Sequence, residues 1–152
     1  MCDACGCGDP EIVSVDVHEK ILASNDRAAA HNREHFREKG VVVVNLMGSP
    51  GAGKTAVLEM TAGHSAGRRL GALAGDLATD RDAERLSAVG ITAKSITTGS
   101  ACHLDAEMVH RGLHELTWRD FDYLFIENVG NLVCPAVYDL GQAANVVALA
   151  VT

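Results

Sequence analysis

Residues 41–55, VVVVNLMGSPGAGKT, constrain this chain more than any other stretch. The β-branched run 41–47 reads as a strand buried on both faces. It leads directly into Gly48-Ser49-Pro50-Gly51-Ala52-Gly53-Lys54-Thr55, which fits the pattern G-x-x-x-x-G-K-[ST]. The chemistry explains the spacing. Glycines let the backbone curl until several N–H groups point into one concavity, and the helix expected from about Gly53 to about Ala62 adds the positive end of its dipole. In such a loop Lys54 reaches the β- and γ-phosphates and the Thr55 hydroxyl binds Mg²⁺. An ordinary glycine-rich turn is the bland alternative, and the strand before the loop and the helix after it argue against it.

The rest of the chain alternates in the same way. Strands are expected at 69–75, 91–97, 121–126 and 145–151, and helices at 80–89 and 104–117. Strand–helix alternation predicts a mostly parallel sheet covered on both faces, an α/β three-layer P-loop nucleoside triphosphatase. Ahead of it, residues 16–39 look helical, with Asp16 as N-cap and Gly40 as the stop. The expected organisation is a cysteine-rich tail over 1–14, a helix over 15–40 and the nucleotide domain over 41–152. The sequence ends on an apolar strand-like run, which exposes apolar surface unless a partner covers it, and this points to a chain incomplete at its C-terminus.

Composition removes several classes. Apolar residues make up 47% of 152, enough for a packed core. Net charge is −7 with no basic run, which argues against nucleic acid as a partner. No apolar stretch approaches the ~18 residues of a membrane span. The start, MCDACGCGDPE, has neither the basic nor the apolar region of a secretory signal, so cytoplasm is the expected compartment.

Two acidic positions complete the phosphate site. Asp76 follows the second strand, at the carboxyl edge where ligands of open sheets gather, as a candidate to hold Mg²⁺ through water or orient the attacking water. Glu127 ends the 121–126 strand and opens Glu127-Asn128-Val129-Gly130, a turn of the kind that senses a γ-phosphate. Lys54, Asp76 and Glu127 are therefore the candidate catalytic set, with Gly130 beside the nucleotide. Asp80 and Asp82 read as the solvated face of the next helix.

Five cysteines cannot all pair within one chain. In a reducing compartment they are thiols, available for metal binding or redox work. Cys2, Cys5 and Cys7 pack three thiols into six residues, with the α-amine near as a fourth donor. That set suits square-planar Ni(II) and also tetrahedral Zn(II), and a redox role is weaker because no helix start lies at Cys5. Cys102-His103 follows the third strand, and Cys134 lies four residues after Gly130. All three fall on the loop edge near the nucleotide. Three ligands leave a coordination sphere incomplete, which a two-fold dimer can complete by sharing ligands. His31 and His35, four apart on a helix, could chelate but read as a solvated face, and His18, His64, His110 and His114 as surface or lightly structural positions.

The order MCxxCGC, helix, VVVVNLMGSPGAGKT, GDLATDRDAERL, TGSACHLDA, FIENVGNLVCP resembles the HypB family of hydrogenase nickel-incorporation GTPases across nearly the whole chain. The resemblance implies a GTPase of slow intrinsic turnover that dimerises with nucleotide and supplies Ni(II) during assembly of nickel–iron hydrogenase. It implies GTP/GDP, Mg²⁺, Ni²⁺ and Zn²⁺ as cofactors or cargo. Cys2, Cys5 and Cys7 would be the tight nickel site, and Cys102, His103 and Cys134 a weaker nickel/zinc site. The accessory protein HypA, a nickel-storage prolyl isomerase and the hydrogenase large-subunit precursor are the implied partners. The family's guanine-reading [Asn/Thr]-Lys-x-Asp motif does not follow residues 145–151, so GTP over ATP rests on the resemblance alone. The rival expectations are an ATP-dependent small-molecule P-loop kinase and a non-enzymatic nickel/zinc-binding fragment.

Overall fold

The computed structural model describes residues 10–76 and 80–151, the first nine of these by backbone alone. Five strands form one sheet: β1 (Val42–Met47), β2 (Leu70–Asp76), β3 (Thr92–Thr97), β4 (Tyr123–Glu127) and β5 (Ala144–Val147). Their spatial order is β3-β2-β4-β1-β5, and every pairing is parallel. The helices are α1 (Pro10–Lys39), α2 (Lys54–Gly63), α3 (Arg81–Ala88), α4 (Ala106–Leu113) and the short α5 (Cys134–Val137). This is the expected three-layer α/β arrangement.

Two apolar layers flank the sheet, as the alternation of strand side chains requires. Val43, Leu73, Leu124 and Ile126 face α1 and α4 and pack with Phe36, Val109, Leu113 and Trp118. Leu46, Leu70 and Ala72 face the other way and pack with Leu58 of α2 and Leu86 of α3. β1 is buried from Val43 onward except for half-buried Val44, and its Asn45 is fully buried. β5 is an edge strand exposed along its length. Among the described residues no helix is long and apolar enough to cross a membrane.

Boundaries differ from expectation by more than two residues at three places. α1 begins at Pro10 rather than Asp16, so Asp16 lies inside the helix and residues 10–14 leave the expected tail. The preset φ of proline and its missing N–H suit a first helical position. The helix expected over 104–117 spans only Ala106–Leu113, its start set by Asp105, whose carboxylate accepts the Met108 N–H at 2.7 Å. The last strand ends at Val147, leaving Leu149 and Val151 exposed beyond it.

Candidate functional site

Gly48 to Thr55 form a loop wrapped against the carboxyl end of β1, in contact with the turn after β4. Gly53 occupies the N-cap of α2 at φ 88°, a left-handed conformation that only glycine adopts without strain. Lys54 and Thr55 begin the helix and are buried. The Lys54 ammonium donates to the carbonyls of Gly48 at 3.1 Å and Ser49 at 3.4 Å. Gly48 forms an isolated antiparallel bridge with Asn131, which ties the loop to the turn. At Gly130 a methyl group would come within 2.9 Å of Pro50 Cγ, so the close approach of turn and loop requires glycine there.

A cavity of about 450 Å³ opens between these segments. Pro50, Gly51, Gly53, Lys54 and Thr55 line one side, and Asp76, Asp82, Arg85, Glu127 and Gly130 line the rest. Glu127 is 3% exposed, and its Oε1 accepts the Thr55 hydroxyl at 2.7 Å. Asp82 Oδ1 is a second acceptor 3.0 Å from the same hydroxyl. Burial pushes the Glu127 carboxyl above the usual carboxylate range, with the charge of Asp82 adding to it and the Thr55 bond opposing it. Its Oε2 is buried without a hydrogen-bond partner among the described residues. The Thr55 hydroxyl, the orphaned Glu127 oxygen and the carboxylates of Asp76 and Asp82 all line this cavity, and oxygen donors of this kind could hold a hard divalent cation such as Mg²⁺.

Asp82 and Arg85 are the residues that sequence reasoning missed. Both were hidden in a polar run whose helical spacing alone did not show which side turns inward. Asp80, by contrast, is exposed at the N-cap of α3, as expected of a solvated position. Arg85 lines the cavity while its guanidinium is held by Glu59 of α2 at 3.0 and 2.9 Å.

From Glu127 the chain runs seven residues to the thiols. Cys102, His103 and Cys134 come together with ligand atoms all within 4.8 Å of one another. Cys102 Sγ lies 2.8 Å from Cys134 Sγ and 3.7 Å from His103 Nδ1. The hydrogen bond with Cys134 raises the Cys102 thiol above its ordinary range, and burial lowers His103. The His103 ring stacks on Tyr138 at 3.9 Å, a partner the sequence did not suggest. Asn128 connects the two sites. Its N–H donates to Leu46 O at 2.9 Å, its Nδ2 donates to Asn45 Oδ1 at 3.1 Å, and its Oδ1 accepts the N–H of Leu104, next to His103, at 3.1 Å. Asn131 Nδ2 donates to the Cys102 carbonyl at 3.3 Å. Cys2, Cys5 and Cys7 lie outside the described residues.

Residues 42–148 match the family model for the CobW/HypB/UreG nucleotide-binding domain. The chain belongs to this family. A hydrogenase/urease maturation factor HypB of Helicobacter hepaticus is 50% identical over 140 residues, covering 90% of this chain and 57% of the relative. Two solved HypB structures share the fold. That of Helicobacter pylori HypB in complex with nickel has a TM-score of 0.78 at 45% identity, over 82% of this chain and 59% of the other. That of Archaeoglobus fulgidus HypB has a TM-score of 0.76 at 46% identity, over 84% and 63%. The chain thus spans somewhat over half the length of these relatives. Membership of the CobW/HypB/UreG family makes the domain a P-loop nucleotide-binding domain, in agreement with the loop, cavity and sheet order described above.

Proposed function

We propose that this chain is the nucleotide-binding part of a GTP-hydrolysing nickel metallochaperone that delivers Ni(II) during maturation of nickel–iron hydrogenase. The observation that carries this reading is the continuity of one short segment. Glu127 touches Thr55 at one end, and Cys134 completes the thiol cluster at the other. A change in the phosphate pocket therefore has a physical path to the metal ligands.

In this reading the loop 48–55 binds the phosphates through its backbone N–H groups, and Lys54 balances the β/γ charge. Thr55, Glu127, Asp82 and Asp76 are the residues that would hold Mg²⁺, which when bound neutralises charge on the phosphate oxygens. Asp76 orients the attacking water, and Gly130 lets the sensing turn press on Pro50. Arg85 is neutralised by Glu59 and supplies no free cation to the γ-phosphate, consistent with slow intrinsic turnover. Preference for guanine rests on family likeness.

Cys102, His103 and Cys134 hold nickel or zinc as cargo, and a nucleotide-dependent homodimer completes the coordination. Cys2, Cys5 and Cys7 form a separate, tighter nickel chelate. HypA and the hydrogenase large-subunit precursor are the proposed partners, in the cytoplasm. A small-molecule kinase would leave the thiol cluster unexplained.

The test is a nickel titration of a Cys2/Cys5/Cys7→Ala variant, with and without a non-hydrolysable GTP analogue. Coupling between sites is reciprocal and typically worth ~1–3 kcal/mol, so the expected change in nickel affinity is roughly 5- to 150-fold. Equal affinities in the two conditions would overturn the coupling.

A further inference from the structure

Apart from His103, the histidines of the described residues play no part in the nucleotide or thiol sites, yet four of them meet. α1 carries His31 and His35 one turn apart, and α4 carries His110 with His114 at its C-cap. Ring centroids lie 4.3 Å apart for His31–His35, 5.2 Å for His31–His110 and 5.0 Å for His110–His114. His31 Nε2 and His35 Nε2 are 3.0 Å apart. Metal–imidazole bonds run about 2.0–2.1 Å, so two nitrogens on one ion stand roughly 2.8–3.0 Å apart at a right angle and about 3.4 Å apart at a tetrahedral one. The observed separation suits a shared cation.

The orientation of His110 is fixed from below. Its Nδ1 lies 3.1 Å from Oδ1 of Asn32, which is fully buried. Asn32 Nδ2 donates to Ala106 O at 2.9 Å and Leu140 O at 3.3 Å, so the amide cannot be turned over. Asn32 Oδ1 can only accept, which puts the proton of His110 on Nδ1. In the neutral ring Nε2 then keeps its lone pair. The ring so fixed stands beside the His31–His35 pair, its centroid 5.2 Å from that of His31.

We propose that His31 and His35, one turn apart on α1, form a two-histidine site for one divalent transition-metal ion of borderline softness, flanked by His110 and His114. Imidazole donors suit Ni(II), Cu(II) and Zn(II). The site is separate from the thiols and does not depend on the nucleotide reading.

The single tryptophan reports on this seam. Trp118 is buried, and its ring lies 6.5 Å from that of His35. The experiment titrates Ni(II) into the reduced chain and follows three signals: total metal by equilibrium dialysis, thiolate-to-nickel charge-transfer absorbance, and Trp118 emission. The expected result is one equivalent of nickel beyond those the absorbance counts, accompanied by quenching of Trp118. Closed-shell Zn(II) should bind with little quenching. The His31→Ala/His35→Ala variant should lose that equivalent and the quenching, while the charge-transfer band remains. His31→Gln, at an exposed position, guards against misfolding: its metal-free Trp118 emission should match wild type, with affinity for the silent equivalent at least tenfold weaker. Absence of the silent equivalent in the wild type, or its persistence at equal affinity in both variants, would overturn the proposal.

Discussion

The phosphate pocket and the thiol cluster are seven residues apart along one turn, yet they are built by different means. Glycine geometry and a parallel β1–β4 ladder set the first, and Lys54, Thr55 and Glu127 are all buried within it. The second is made of loop residues, with Cys102 exposed and Cys134 on a four-residue helix. Side-chain bonds from Asn128 and Asn131, rather than a sheet, hold the loops there. A site fixed by backbone is preorganised, whereas one fixed by a few side-chain bonds can be displaced by a modest force. That asymmetry suits a molecule in which the nucleotide acts and the metal site responds.

The sharpest way to break this contrast is Lys54→Ala. Loss of the ammonium removes charge stabilisation aimed at the phosphates, so turnover should fall by about 10²–10³-fold. Nickel stoichiometry at the thiols should be unchanged in the absence of nucleotide. Steady-state phosphate release beside a nickel titration measures both. Loss of nickel binding in this variant would show that the two sites are one structural unit and that the distinction drawn here fails.

A smaller effect tests the cost of the buried carboxylate. The folded-state pKa of Glu127 is raised above the ordinary 4.5, chiefly by burial. A raised carboxyl favours the protonated form in the fold. Its stabilising contribution is therefore full below about 4.5 and is lost as pH rises through the folded value. Glu127→Gln should raise Tm at neutral pH by a few degrees, and the gain should vanish near pH 4. Thermal melts at the two pH values check this. A variant less stable than wild type at neutral pH would mean that the Thr55 bond outweighs burial. The same change should lower hydrolysis, because the orphaned Oε2 belongs to the proposed cation-holding set.

Much of this was legible in the sequence, for identifiable reasons. The loop 48–55 and its strand carry a periodicity and a glycine pattern that few other structures tolerate. Cys102, His103 and Cys134 were grouped correctly because strand ends in a parallel sheet converge on one edge. Asp82 was not legible: Arg81 to Arg85 is polar except for Ala83, and only the packing of α3 against α2 brings Asp82 to Thr55 and Arg85 to Glu59. Nor was the four-histidine seam, since a contact 78 residues apart between Asn32 and His110 leaves no local pattern. Pro10 was readable as a helix start, but the more familiar capping signal of Asp16 obscured it.

The smallest expected effect concerns Tyr138. Its ring stacks on His103 at an interplanar angle of 19°, and it contributes no ligand. A stack of this kind is worth ~0.5–1.5 kcal/mol, so Tyr138→Ala should weaken nickel at the thiol cluster by roughly two- to twelvefold, without altering nucleotide turnover. Tyr138→Phe keeps the ring and should restore the affinity. Competition against a chelator of known strength resolves changes of that size. If Tyr138→Ala instead abolished nickel binding, the stack would be the principal support of His103, and the thiol cluster would be as preorganised as the phosphate pocket. If it left affinity untouched, His103 would already be held by the metal and its own backbone. The metal site would then be softer than the contrast assumes, and more readily released by movement of the 127–134 turn.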